Sequence, residues 1–118
     1  MRKVKKNVWG REFKLDVVFD SYAGEHILDV QRDALLKFLD SDNALDGTLE
    51  KVKKHCLEDE NMMGCSAIDN VFKYVIPKSL FVERSNNTRK IVLICDYKWD
   101  LEHGLELTFE NEKFKGIR

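Results

Sequence analysis

Asp100, Glu102 and His103 place two carboxyl groups and an imidazole within four consecutive positions, directly after Trp99 and before Gly104. Carboxylate and imidazole together suit acid/base work or a divalent metal. A carboxylate beside His103 would favour its imidazolium form. The same stretch also reads as turn chemistry. Asp suits the first position of a type I turn, where its carboxylate accepts local N–H groups. Gly104 suits a left-handed position closing the loop. Adjacent residues in a tight loop rarely converge on one ion, and no second His/Cys/Asp cluster at ligand spacing completes a metal site. No metal and no cofactor is expected, and no catalytic residue is assigned.

Other reactive groups are sparse. Cys56, Cys65 and Cys95 are odd in number and lack a CxxC pair, which argues against a disulfide framework or a zinc knuckle. All three read as small core residues in a reduced, cytoplasmic protein. Cys95 lies in an apolar segment, where burial outweighs nucleophilicity. His26 and His55 stand isolated and read as surface histidines. There is no Gly-rich phosphate loop, no G-x-S-x-G and no HExxH.

The elements that must carry these residues follow from patterning. Lys3 to Asp20 reads as a hairpin turning at Gly10-Arg11, with Phe13, Leu15, Val17 and Phe19 alternating along its second strand. Residues 21–25 form a loop. A helix is expected over Asp29–Leu39, with Asp29 as N-cap and an apolar stripe of Val30, Ala34, Leu35 and Phe38. A second runs from about Ala44 to Leu57, capped by Ser41-Asp42-Asn43. The Glu58-Asp59-Glu60-Asn61 run reads as a helix end before a loop at Met62-Met63-Gly64. A short third helix is expected over Ala67–Tyr74, stopped by Pro77. Ser79–Glu83, Arg89–Trp99 and Leu105–Glu110 read as strands, with turns at 85–88, 100–104 and 111–112 and an edge strand over Phe114–Ile117. Strands, then helices, then strands make an α+β order. The expected fold is one domain over 1–118: an antiparallel sheet of five or six strands with two or three helices on one face.

With 43% apolar and 35% charged residues the chain reads as soluble and globular, with no membrane-spanning run and no leader-like start. Net charge is −1, but its distribution is uneven. Residues 1–16 carry six basic and two acidic side chains; residues 17–50 carry two basic and eight acidic ones. The basic start lacks interleaved aromatics and any nucleic-acid motif, so neither nucleic acid nor membrane is an expected partner. Asp20, Glu25, Asp40, Asp42 and Asp46 belong to the acidic block. They read either as a solvated helix face or as a surface that steers a basic partner.

Val8-Trp9-Gly10 before a strand, Gln31 at a helix start, and Trp99-Asp100-x-Glu102-His103-Gly104-Leu105 together resemble a bacterial family of unknown function sharing a W-D-x-E-H-G signature. Members often carry Pro between the Asp and Glu, where this chain has Leu101. Such domains accompany polymorphic or contact-dependent toxins, where they look like immunity proteins. The resemblance implies a non-enzymatic module that binds and neutralises a cognate toxin with a basic contact surface. The contact residues expected are Asp20, Tyr22, Glu25, Asp40, Asp42 and Asp46, or Trp99, Asp100, Glu102 and His103, with Tyr22 or Trp9 as exposed aromatic anchors. The alternatives are a ligand- or metal-binding regulatory domain around Asp96, Asp100, Glu102 and His103, a hydrolase or nuclease using those acids, or a structural or oligomerisation role.

Overall fold

The computed structural model describes residues 2–21, 25–41, 43–85 and 87–118. Two strands, β1 (Arg2–Val8) and β2 (Arg11–Phe19), precede two helices, α1 (Asp29–Asp40) and α2 (Thr48–Leu57). Short 3-10 turns at Glu60–Met62 and Val71–Lys73 lead into β3 (Val75–Val82), β4 (Lys90–Tyr97), β5 (Leu105–Glu110) and β6 (Lys113–Ile117). This is the expected α+β order, with strands stacked in sequence order as one six-stranded sheet.

Four of the five pairings are antiparallel hairpins, as expected, but β2 and β3 run parallel. The reason is the connection between them. A parallel pair needs a crossover long enough to return to the starting end of the sheet, and α1 and α2 form it. The sheet is therefore mixed rather than wholly antiparallel.

Alternation builds the core. Val17, Leu80, Leu93, Leu107 and Ile117 are successive cross-strand partners, as are Phe19, Val82, Ile91, Phe109 and Phe114. These two rows face the helices, and Leu80, Leu93 and Leu107 are fully buried. Phe38 of α1 meets Phe109 edge-on at 5.0 Å between ring centres. The opposite face carries the row Lys3, Asp16, Ser79, Ile94 and Glu106 and is wetter, as period-2 patterning requires.

Both ends of α1 are tied to strands. Leu28, not Asp29, holds the N-cap position, and its N–H donates to Gln31 Oε1 at 2.9 Å. The buried Gln31 amide donates in turn to the Asp20 carbonyl at 2.8 Å and the Val82 carbonyl at 3.2 Å. At the other end, Lys6 Nζ donates to the carbonyls of Phe38, Leu39 and Ser41 at 3.0–3.2 Å.

Three boundaries differ from the sequence reading. α2 begins at Thr48 because Gly47 adopts a left-handed φ of 75° that stops the helix from extending back to Ala44. The expected third helix is only the turn Val71–Lys73, because Asn70 is extended and caps that turn by accepting from the Phe72 N–H; Ile68 and Val71 of its apolar stripe are buried as predicted. Pro77 sits inside β3 at a register shift instead of ending a helix, where its missing N–H is tolerated. Tyr22 and Asp42, both expected contact residues, lie outside the described residues, as do parts of the loops at 21–25, 41–43 and 85–88. No helix among the described residues is long and apolar enough to cross a membrane.

Candidate functional site

The β4–β5 connection is built by Asp100. Its N–H donates to the Tyr97 carbonyl at 3.1 Å, and its own carbonyl accepts from Gly104 N–H at 2.8 Å. Its carboxylate accepts from the His103 N–H at 3.1 Å and lies 3.1 and 3.2 Å from His103 Nδ1. A carboxylate only accepts, so Nδ1 is the protonated ring nitrogen. The His103 backbone amide holds the Asp100 carboxyl below its usual range, and the imidazole adds to this. Gly104 has a φ of 68°, and a Cβ there would collide with the Cys95 carbonyl oxygen. Asp100 and Gly104 thus do the turn chemistry that their types predict. The loop presents Leu101, Glu102 and His103 to solvent, Leu101 at 75% exposure.

A second loop, at the end of α2, faces the first. Asp59 accepts from the Asn61 N–H and side-chain amide, both at 2.9 Å, and from the Tyr97 hydroxyl at 2.9 Å. The Asn61 amide chiefly keeps the Asp59 carboxyl below its usual range. Burial, and then the bond to Asp59, push the Tyr97 phenol well above its usual value. The His55 ring lies 6.3 Å from that of Tyr97.

Between the two loops is an open cleft of about 640 Å³. Its walls include His55, Asp59, Glu60, Tyr97, Trp99, Asp100, His103, Glu106 and Arg118. Four carboxylates therefore outnumber one guanidinium. Trp99 packs against Tyr74 at 6.2 Å, and its indole nitrogen is buried without an acceptor among the described residues. The segments that form the lips carry two of the exposed large apolar side chains, Leu101 and Met63, the latter 87% exposed.

Of the expected residues, the fold brings Trp99, Asp100 and His103 into this cleft, while Glu102 stays at the loop tip. Asp96 is not with them. It lies on the wet face of the sheet, 3.7 Å from Lys78. Among the described residues no three His, Cys, Asp or Glu side chains are placed to hold a metal ion.

The acidic block is spread around the molecule. Asp20 sits at the end of β2, and Glu25 pairs with Arg84 at 2.7 Å. Asp40 ends α1, and Asp46 borders a separate shallow cleft with Lys5, Lys6 and Trp9. Trp9 is not an exposed anchor. It is half-buried at a φ of 53°, donates its indole N–H to Thr48 Oγ1 at 2.9 Å, and packs near Phe72.

Cys56 and Cys95 are buried as expected, but Cys65 is exposed, in the surface stretch 63–67 between the 3-10 turns. Burial pushes the Cys56 thiol up to about 11 and the Cys95 thiol up to about 12. Neither is a thiolate at neutral pH. Asp59, Glu60, His55, Tyr97, Glu106 and Arg118 were not assigned to a site by sequence reasoning, which read His55 as a surface histidine and Asp59-Glu60 as a helix end. The only local signal was the acid run after α2, and nothing in that run shows which loop it meets.

The family model of a domain of unknown function (DUF6985) matches residues 1–117, and the chain belongs to that family. No curated protein and no solved structure matches it at significance.

Proposed function

We propose that this chain is a non-enzymatic binding module of the immunity type, which docks on the basic surface of a cognate bacterial toxin and neutralises it. The observation that carries the reading is the cleft between the 58–63 and 99–104 loops. It is lined by an excess of carboxylates, and the two loops that bound it also carry the exposed Leu101 and Met63. Carboxylates steer and orient a basic partner, and exposed apolar groups gain by burial on contact. The toxin setting is supported by the W-D-x-E-H-G resemblance at Trp99 to Gly104. A cytoplasmic location fits three free cysteines.

The test is affinity capture from the native host together with co-production. Recovery of one stoichiometric partner encoded beside this gene, toxic alone and tolerated with this chain, supports the reading. A neighbouring gene product that is harmless, or equally toxic with and without this chain, overturns it.

The cleft's size supports a second reading, a small-ligand regulatory domain, because ligand pockets fall at roughly 300–1,000 Å³. A metabolite that raises the melting temperature, with the effect lost in His103→Ala, favours that reading.

A further inference from the structure

From the groove between α2 and the free edge of the sheet we infer that this chain binds an acidic, extended segment of another polypeptide, which adds to β6 as a seventh strand. The inference goes beyond the docking reading above, since it concerns a different face and a segment of opposite charge. Three observations carry it.

The first is an open strand edge. β6 ends the sheet, and among the described residues its strand partner is β5 alone. Glu106 and Arg118 exchange both backbone bonds, at 3.2 and 2.8 Å. The neighbouring pair, Leu107 with Ile117, is therefore of the kind that exchanges none. The Ile117 N–H and carbonyl thus point away from β5, out of the sheet. An incoming strand meets there the donor and acceptor that strand addition requires.

The second is a groove of about 330 Å³ between α2 and residues 114–117. Phe114 and Ile117 give it an apolar floor, since both are only half-buried and pack on the core from the helix side. Lys51 Nζ lies 5.2 Å from the centre of the Phe114 ring. Alternate side chains of an added strand would enter this groove, as the period of two demands.

The third is charge. Lys51 and Lys54 of α2 and Lys115 of β6 line the groove, all exposed, and Glu58 is the one acid among its described lining residues. An acidic segment complements that excess. A second copy of this chain does not, because pairing two β6 edges would set Lys113 and Lys115 of each copy against those of the other. A phosphate backbone would answer the lysines but not the strand edge, which asks for alternating N–H and C=O groups.

The test uses a blocked hexapeptide alternating Glu and Val, with the Lys and Val counterpart as control. Two further forms of the acidic peptide carry N-methyl groups on one or the other set of alternate amides. Amide resonances of the labelled chain are followed at low salt. The acidic peptide should give saturable shifts within residues 51–58 and 113–118, and should slow hydrogen exchange at the Ile117 amide. One methylated isomer should bind and the other fail, because an added strand uses one of its two edges. Lys54→Gln with Lys115→Gln, both at exposed positions, should weaken binding about threefold or more, as exposed ion pairs allow. Shifts that never saturate, equal binding of the basic peptide, or equal binding of the two methylated isomers overturn the inference. Displacement of the peptide by a short oligothymidylate that itself binds more tightly also overturns it, in favour of a phosphate backbone. Peptide binding by a chain that protects against no toxin leaves this groove standing and removes the immunity reading.

Discussion

The Tyr97 hydroxyl donates to Asp59 Oδ2 at 2.9 Å across 38 residues of chain. This bond joins the end of β4 to the turn after α2, and so fixes the two walls of the cleft relative to each other. Tyr97 is 4% exposed while Asp59 is half-buried, so the bond runs from core to rim. Cleft geometry is thereby coupled to core packing through one side chain.

The paired carboxylates predict acid sensitivity. Asp59 and Asp100 sit below the ordinary value of 3.8 in the folded chain. A lowered folded pKa contributes stability that is fully present above the unfolded value and is lost as pH falls through the folded one. Melting temperatures should therefore fall below about pH 4, beyond what net charge alone produces. Asp59→Asn and Asp100→Asn should each flatten that fall. Parallel curves for variant and parent across the acid range would show that these bonds carry no linkage. Tyr97→Phe should move the Asp59 titration upward without unfolding the chain, read by NMR of the side-chain carboxyl.

Gly104→Ala tests the loop. The added Cβ meets the Cys95 carbonyl in a left-handed backbone, which should cost about 1–3 kcal/mol in denaturant unfolding. Gly116→Ala is the control, since a Cβ there meets nothing within 4 Å. Equal stability of the two variants would reject the turn geometry.

Strand and helix order was legible because alternation along β2, β4 and β5 and the α1 stripe are strong local signals. Asp100 and Gly104 were legible for the same reason: their partners, Tyr97, His103 and Cys95, lie within nine residues. The parallel β2–β3 pair was not legible, because it depends on where the crossover returns. Trp9 was misread because its anchor, Thr48, is 39 residues away. The cleft was half legible: one wall was visible in the W-D-x-E-H-G stretch. The other wall needed the long-range bond between Asp59 and Tyr97, which no spacing rule encodes.

Lys6→Met should destabilise by about 1–2 kcal/mol, because three carbonyls at the end of α1 lose their cationic donor. The Lys6 ammonium also lies 5.3 Å from the centre of the Phe38 ring, so the loss reads out the ammonium's contacts with both the carbonyls and the ring. Urea unfolding measures it. A change of less than a few tenths of a kcal/mol would mean that water replaces the ammonium at no cost.

Thiol labelling separates the three cysteines. At mildly alkaline pH one thiol, Cys65, should react at once, and Cys65→Ser should abolish that phase. Cys56 and Cys95, pushed up to about 11 and about 12 by burial, should react only as the chain unfolds. Two fast thiols in the native state would contradict the core assignment.

Charge reversal decides which acidic surface meets a basic partner. Glu60→Lys and Glu106→Lys act inside the cleft, whereas Asp40→Lys and Asp46→Lys act at the end of α1 and beside β1. If the cleft is the docking face, the first pair should slow association with the captured partner by about tenfold at low salt and reduce its salt dependence. The second pair alters overall charge equally but should change the rate much less at about 0.1 M salt, where steering weakens beyond a Debye length of about 10 Å. Stopped-flow association at two ionic strengths distinguishes them. A larger effect from the second pair would move the interface to the helical acids and take the cleft out of docking.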